Sequence, residues 1–432
     1  MKKMNSIFIA PQKQGGEIAT VTMPVPKELI LPVHQHIGAP PEIKVELGEV
    51  VKKGQILADA ESPMCVPLHA PAAGTVKEIY DFVTPMGTRT RAIKLLVEEN
   101  GEEVEYSAPE IRSKDDFLSF VRSTGAVGLG GAAFPTHIKL SPSKPVDVCI
   151  INAAECEPRI TADAREIIEN TEDVIKGAKL IKAFTGVDKV YIAIENRAKE
   201  EIEILKAKVE NEEGIFLSIL KPTYPQGAEK VLIYNVTGRI VPEGSLPMDV
   251  GVIVVNISTV GFIGSSSETG KPLTVKRVTV GGDCLKEHKN IFVPVGTKIH
   301  DIAEFFGGYV KEPAEIILGG PMMGTTVYSD EYPVSKNTNA ILFISEKLLG
   351  KRVESECIRC GRCMKECPFD LKPIALFEAA KEKDIEALEK EHLMLCMECG
   401  SCAYVCPASR PLTQSHKLAK AYVRERRAKN GK

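Results

Sequence analysis

Eight of the twelve cysteines form two copies of one spacing near the C-terminus. Each copy reads C-x2-C-x2-C-x3-C-P, and the residues are Cys357, Cys360, Cys363, Cys367, Cys396, Cys399, Cys402 and Cys406. Three cysteines of such a copy bind one [4Fe–4S] cluster, and the fourth, which precedes the proline, normally binds the other cluster. Zinc sites seldom use this spacing, and a disulfide framework demands a secreted chain. The sequence therefore predicts two [4Fe–4S] clusters and the transfer of single electrons.

The crossed fourth ligand predicts how the cysteines divide between the clusters. We expect one cluster on Cys357, Cys360, Cys363 and Cys406, and the other on Cys396, Cys399, Cys402 and Cys367. The insert between Cys367 and Cys396 is rich in Ala, Leu, Glu and Lys, and its Pro373 suits a first helical turn. We therefore expect a helical module around both clusters.

The composition is that of a globular protein with several domains. The 432 residues are 44% hydrophobic and 26% charged, with a formal net charge of −3, so nothing points to nucleic acid as a partner. The N-terminus has no signal-peptide pattern, and the longest apolar stretch, residues 250–264, is too short to span a bilayer. We predict a cytosolic chain without a transmembrane segment, with four further cysteines unpaired: Cys65, Cys149, Cys156 and Cys284.

Turn residues and hydrophobic periodicity divide the chain into five stretches. We expect an N-terminal arm over residues 1–28, a unit of short strands over 29–110, a layered α/β domain over 111–270, a small unit of strands around one helix over 271–349 and a helical two-cluster domain over 350–432. The predicted fold class is therefore multidomain, α/β plus α+β.

Residues 29–110 resemble a lipoyl- or biotinyl-type barrel-sandwich. Residues 48–57 and 70–76 are similar to the two hairpins of that fold. A carrier domain of this type presents a modified lysine at a hairpin tip, whereas this chain reads ESPMCV over residues 61–66. Without that lysine the unit is not a swinging carrier, and we expect it to be an adaptor.

Residues 111–270 alternate helical and strand-like segments, which predicts α/β layers. We expect helices over 114–123 and 163–184, and strands over 147–152 and 189–194. A glycine-rich loop, residues 125–139, separates the first helix from the first strand, and its backbone amides are suited to close approach of a phosphate. Because the loop follows a helix, it is not an ordinary Rossmann fingerprint, and a plain surface loop is the alternative.

The glycine-rich loop resembles the flavin-binding loop, GRGGAGFPTGxK, of the NADH-oxidising flavoprotein subunit of respiratory complex I. Residues 152–158, NAAECEP, resemble the NADExEP strand end of that family, where acidic groups meet flavin and nicotinamide. Both blocks occur in the same order and at similar spacing. The chain departs from the family pattern at Leu129, Ala133, His137 and Ala154.

This resemblance implies sites for FMN and NAD(H). The implied FMN-binding residues are Gly128, Gly130, Gly131, Phe134, Lys139, Asn152, Asn256 and Thr259. Backbone amides and Lys139 would neutralise the phosphate, and Glu155 and Glu157 would act on the nicotinamide side as catalytic residues. Two alternatives stay open: Glu157 as a cap or salt-bridge partner of the helix near Asp163, and Phe134 as a core side chain.

Residues 271–349 resemble a small β-grasp domain of the soluble-ligand-binding type. Two segments end in Gly-Gly, at residues 281–282 and 319–320, and one helix is expected over 299–306. We expect this domain to be a spacer between the flavin and the clusters.

Along nearly the whole chain, the order of the domains resembles that of the RnfC family, whose members are components of the Rnf electron-transport complex. Residues 224–230, 237–239 and 255–259 are similar to further blocks of that family. The resemblance implies an NADH-handling electron-transfer subunit of an ion-translocating ferredoxin:NAD oxidoreductase, peripheral on the cytoplasmic face of the inner membrane. The implied partners are the membrane subunits of the Rnf complex, ferredoxin or another iron–sulfur subunit, and NAD(H).

Two other functions are compatible with the same residues. One is a soluble NADH-dependent corrin reductase, which shares these parts. The other is a non-catalytic iron–sulfur electron-transfer adaptor whose flavin site has decayed, to which Leu129, Ala133 and Ala154 point. The basic tail, residues 417–432, suits docking to an acidic partner or anionic lipid, with a solvated tail as the alternative.

Overall fold

The computed structural model describes residues 4–85, 87–350 and 353–429. Four packed units follow one another in the expected order, and the N-terminal arm runs along three of them. No helix in these ranges is long and apolar enough to cross a bilayer.

The barrel-sandwich consists of two small antiparallel sheets with one core between them. After β1 (Val21–Thr22) in the arm, its strands are β2 (Glu28–Pro32), β3 (Glu42–Ile43), β4 (Val50–Val51), β5 (Ile56–Asp59), β6 (Leu68–His69), β7 (Gly74–Val83) and β8 (Arg89–Val97). The strand orders are β2-β8-β7-β4 and β3-β5-β6. Alternate side chains such as Leu29, Leu31, Ile93 and Leu95 fill the core, as the period of two requires.

The connection between β5 and β6, where a carrier domain would present its lysine, packs against the α/β unit. Pro63 O lies 2.9 Å from His137 Nε2, and Asp59 at the end of β5 accepts a 2.7 Å bond from Arg122. Cys65 on this connection is fully buried. The hairpin is therefore held as a structural contact, which agrees with an adaptor role.

The α/β unit is built on a four-stranded parallel sheet. Its elements are α1 (Lys114–Ser123), α2 (Thr136–Lys139), β9 (Val148–Ala153), α3 (Ala162–Thr185), β10 (Lys189–Glu195), α4 (Lys199–Val209), β11 (Ile215–Leu220), α5 (Glu229–Thr237), β12 (Val252–Asn256) and α6 (Ile257–Thr269). The strand order is β11-β10-β9-β12. Helices cover both faces, so β9 and β12 are nearly continuous apolar runs. The helices and strands expected in this part of the sequence are confirmed to within a few residues at each end.

The β-grasp unit is a mixed sheet with one helix against it. Its elements are β13 (Val275–Gly282), β14 (Lys289–Pro294), α7 (Ile299–Phe305), β15 (Glu315–Leu318), β16 (Thr325–Val327) and β17 (Ala340–Ile344). The strand order is β1-β14-β13-β17-β15-β16, so the arm supplies an edge strand. The helix predicted for this unit is confirmed.

The C-terminal unit consists of short helices and cysteine-bearing loops. Its helices are α8 (Glu346–Leu349), α9 (Arg362–Lys365), α10 (Pro373–Glu382), α11 (Ile385–Lys390), α12 (Ser401–Tyr404) and α13 (Leu412–Lys429). Pro373 is the first residue of α10, as expected. The basic tail forms most of α13, whose Arg427 pairs with Glu389 of α11 at 2.9 Å. Part of the tail's charge is therefore neutralised within the chain.

Candidate functional site

The carboxyl ends of β9 and β12 lie side by side at one edge of the parallel sheet, and we call the region beyond this edge, next to the glycine-rich loop, the crevice. These two strands are parallel neighbours, and their last polar residues, Asn152 and Asn256, are register partners. From β9 the sheet continues through β10 and β11 on one side and β12 on the other. Ligands of open α/β sheets bind at such a switch point, beyond the carboxyl ends of the strands.

The glycine-rich loop lies against this crevice. A Cβ on Gly130 would be 2.8 Å from Asn256 Nδ2, so only glycine allows the observed approach. Gly131 has φ +111°, a conformation that favours glycine. Gly128 N donates to Phe134 O across the loop, and Phe134 itself is half-buried and outside the hydrophobic cores.

The other predicted flavin residues lie around the crevice with defined partners. Asn256 caps α6 through Ser258 N and donates to Asp163 Oδ2 at 2.8 Å. Asn152 Nδ2 donates to Gly227 O, and Thr259 Oγ1 accepts from Leu129 N. Lys139, the predicted phosphate ligand, lies 3.0 Å from Glu229 and forms an ion pair with it. The fold thus brings all of them to one end of the sheet.

Glu155 caps the helix that follows it. Its Oε1 accepts from Asp163 N at 2.9 Å in the first turn of α3, and its Oε2 lies 3.3 Å from Lys13 Nζ. Burial raises the pKa of Glu155 to about 7, with Lys13 opposing the shift. The capping role considered for Glu157 therefore belongs to Glu155.

Glu157 instead binds a loop of the β-grasp unit. Its Oε2 accepts from Met322 N at 3.1 Å, and a Cβ on Gly320 would lie 2.1 Å from the same oxygen. The Tyr224 hydroxyl lies 3.4 Å from Oε1. Burial raises the pKa of Glu157 to about 7, while these hydrogen bonds act in the opposite direction.

The β-grasp unit packs against the glycine-rich loop. Lys276 of β13 is buried and donates to Leu129 O at 3.1 Å, while Asn337 donates to Gly131 O at 3.2 Å. Burial lowers the pKa of Lys276 to about 8. Sequence reasoning gave Lys276 no site role, because a lysine inside a strand pattern carries no sign of a distant partner.

The eight cysteines of the two motifs form two separate groups of four. Cys363 has Cys357, Cys360 and Cys406 as its thiol neighbours. Cys402 has Cys396, Cys399 and Cys367 as its thiol neighbours. This is the crossed grouping that the spacing predicts. We call the first group the exposed set, because Cys360 is exposed, and the second the buried set, because Cys367 and Cys399 are buried.

The spacing of the thiols suits a cluster better than a single ion. Four ligands about 2.3 Å from one zinc ion would be within about 4 Å of one another. Among the described residues, three or more ligand atoms come within 4.8 Å only at His300, Asp330 and Glu331, so neither cysteine set is that compact. Backbone amides also point at the sulfurs, as Glu398 N does at Cys396 Sγ (3.4 Å).

The turn after β9 that contains Glu155 and Glu157, residues 155–160, is called the acidic turn, and Tyr224 connects it to the buried set. Its hydroxyl donates to Cys399 O at 2.6 Å, and the residue is 2% exposed. Asn5 of the arm adds a second bond, to Cys367 O at 3.0 Å. The buried set therefore lies directly against the unit that contains the crevice.

Comparison with known families assigns three regions of the chain. Residues 121–265 match the family described as the Nuo51 FMN-binding domain. Residues 9–102 match the RnfC barrel sandwich hybrid domain, and residues 354–410 match the 4Fe-4S dicluster domain. The three regions coincide with the α/β unit, the barrel-sandwich and the cysteine-bearing unit.

Curated relatives match along most of the chain. One is the C component of the proton-translocating ferredoxin:NAD(+) oxidoreductase complex of Clostridium ljungdahlii, 40% identical over 86% of this chain and 82% of that protein. This chain belongs to the RnfC family. A second RnfC protein, from the Na(+)-translocating complex of Acetobacterium woodii, is 37% identical over 94% of this chain and 93% of its own length.

A solved structure shares the fold of this RnfC chain at low sequence identity. The crystal structure of the air-oxidized NAD+-reducing [NiFe]-hydrogenase gives a TM-score of 0.52 at 17% identity, over 72% of this chain and 63% of that one. This similarity shows that the fold of the chain also occurs in another protein.

Proposed function

We propose that this RnfC chain is the NADH-handling electron-transfer subunit of a membrane-associated, ion-translocating ferredoxin:NAD(+) oxidoreductase. The main observation in support is the hydrogen bond from the Tyr224 hydroxyl to Cys399 O. This bond joins the acidic turn, beside the proposed flavin crevice, to the buried set of four thiols. The names of the relatives in Clostridium ljungdahlii and Acetobacterium woodii agree with this role. Their match along most of the chain favours it over a soluble corrin reductase.

The residues present fit both kinds of cofactor. The absence of a side chain at Gly130 lets the loop approach Asn256 closely, and the loop amides and Lys139 are suited to an FMN phosphate. The thiolates of each cysteine set are the usual ligands of a [4Fe–4S] cluster. When bound, FMN exchanges a hydride with NAD(H) and single electrons with the clusters. We therefore propose Gly128, Gly130, Gly131, Phe134, Lys139, Asn152, Asn256 and Thr259 as flavin contacts and the eight cysteines as cluster ligands.

Glu155 and Glu157 are proposed to form the nicotinamide side of the crevice. Each lies on the turn after β9 and has a pKa near neutrality because of burial. Lys13 and Met322 N hold the two carboxyl groups in place and so fix the shape of this wall. The chain thus prepares the crevice before a nucleotide binds, which lowers the entropy cost of binding.

The two cysteine sets suggest an order for the electron path. The buried set contacts the α/β unit through Tyr224, whereas the exposed set lies on the surface with Ile358 and Arg359 beside it. We propose that the buried set is nearer the flavin and that the exposed set faces an iron–sulfur partner. That partner is ferredoxin or another subunit of the complex at the cytoplasmic face of the membrane.

Gly130→Val tests the flavin assignment. The new side chain would collide with Asn256, which cannot turn away because it is held by Asp163 and by the first turn of α6. We expect loss of FMN binding and of NADH-driven dye reduction, with iron content unchanged. Gly281→Ala, where the new Cβ would meet only ordinary contacts at 3.5 Å, is the control.

A Gly130→Val protein that binds FMN and oxidises NADH at the parent rate would remove the assignment. A parent protein that binds no flavin and oxidises no NADH would favour the non-catalytic adaptor.

A further inference from the structure

The N-terminal arm crosses three units of the molecule. Asn5 bonds to Cys367 O of the buried set, and Ile7 pairs with Tyr224 of the α/β unit. Thr20 N donates to Glu169 of α3, and β1 then joins β14 of the β-grasp sheet. The arm is therefore ordered by contacts along its length, and its middle part passes the acidic turn.

Lys13 lies in that middle part and binds the acidic turn from outside. Its ammonium donates to Glu155 O at 2.8 Å, to Glu157 O at 3.0 Å and to Ile160 O. An ammonium group has three donors, and three backbone carbonyls of one six-residue segment accept them. The neighbouring carboxylate oxygen of Glu155 adds the opposite charge at 3.3 Å.

The turn requires such a cation to keep its shape. Three carbonyl oxygens that point at one place repel one another, and each would be left without a donor if the cation were removed. Arg159 within the turn has φ +67°, outside the usual range for a residue with a side chain, and its amide donates to Pro11 O of the arm. Lys13 and Pro11 together hold residues 155–160 in this conformation.

We infer that Lys13 is a positioning residue of the nicotinamide side of the site, supplied by the arm. This inference rests on the proposed function. Lys13 acts through the turn: it places Glu155 and Glu157, and it neutralises part of their charge. A lysine with 25% of its side chain exposed is thereby part of the site, although it precedes the α/β unit by about a hundred residues.

The test compares Lys13→Met with Lys27→Met in the full chain. Lys27 is an exposed lysine of the same arm. Its variant therefore removes the same positive charge but leaves the contacts of Lys13 with the acidic turn in place. For Lys13→Met we expect faster amide hydrogen exchange confined to residues 154–160. We also expect the KM for NADH to rise about tenfold and kcat to change less. A tenfold change corresponds to about 1.4 kcal/mol, which is the size expected when hydrogen bonds to a charged group are lost. Iron and FMN content should match the parent.

Chemical rescue separates positioning from a general loss of folding. Lys13→Ala leaves space for a small cation, so added ethylammonium should restore most of the NADH affinity of that variant and have no effect on the parent. Lys13→Arg should be intermediate, because the planar guanidinium keeps the charge but cannot point three donors at converging carbonyls.

Two results would overturn the inference. One is equal exchange and equal KM in Lys13→Met and Lys27→Met; the other is a Lys13→Ala variant on which ethylammonium has no effect. Failure of the proposed function looks different, because the parent itself would then oxidise no NADH while the exchange of residues 154–160 would still report on Lys13.

Discussion

The two cysteine sets share one spacing but lie in different surroundings. In the exposed set, Cys360 and its neighbours Ile358 and Arg359 are exposed. In the buried set, Cys399 is 8% exposed and packs with Tyr224. Solvent exposure and hydrogen bonds near the sulfurs are determinants of cluster potential, so identical motifs are expected to give clusters with different potentials.

The two sets also differ in their charged neighbours. Lys420 of α13 donates to Cys396 O and forms an ion pair with Glu398 at 2.7 Å. The charges of these two side chains next to the buried set therefore cancel. Basic side chains at the exposed set, Arg359, Arg362 and Lys365, point into solvent. The cysteine motif in the sequence therefore predicts the ligands. It does not predict whether a cluster site is packed inside the protein or lies at the surface, where a partner could bind.

The largest expected effect comes from exchanging the fourth cysteine of either motif. Cys367→Ser should remove the buried cluster and Cys406→Ser the exposed one, each with about half of the iron lost. The EPR signal left in Cys367→Ser should equal that left in Cys399→Ser. If it equals the signal left in Cys360→Ser instead, the crossed grouping is wrong.

A smaller effect is expected from Tyr224→Phe, which acts on one set only. The variant loses the 2.6 Å bond to Cys399 O, so the reduction potential of the buried cluster should shift while that of the exposed cluster stays the same. Loss of this bond should also cost about 1 kcal/mol of stability. Redox titration followed by EPR measures both clusters, with exposed Tyr328→Phe as the control. Equal shifts of both clusters would contradict the assignment.

The smallest effect is a pH dependence at Glu157, on the buried side of the comparison. Its pKa is about 7 in the folded chain against an ordinary value of 4.5, so the folded state binds the proton more tightly. The stability gained from this proton is complete below pH 4.5 and is lost as the pH rises through about 7.

Glu157→Gln should therefore match the parent near pH 4.5 and exceed its stability at pH 8 by about 1–2 kcal/mol, allowing for partial exposure. Thermal unfolding at the two pH values measures this difference, with Glu61→Gln, at an exposed residue of the connection between β5 and β6, as the control. A Glu157→Gln effect of the same size at both pH values would show that the carboxyl group is not buried as described.

Much of the local structure could be predicted from the sequence. The helix at residues 114–123 and two strands of the parallel sheet, β9 and β10, follow from short-range periodicity, which depends on neighbouring residues alone. The glycine content of residues 125–139 predicted the loop, and the structure has positive φ at Gly131 and also at Ala133, where the related family has glycine. The residues at the crevice could be named because a family resemblance carried their positions.

The sequence by itself determined the eight thiols, their spacing, and the strands near residues 147–152 and 189–194, since all of these depend on short stretches of chain. Only the tertiary structure decided which cysteine set is buried and which residues complete the site. Lys13 and Glu155 are 142 positions apart, and Tyr224 and Cys399 are 175 apart. Contacts over such separations arise when whole units pack together, and no local pattern of residues records them.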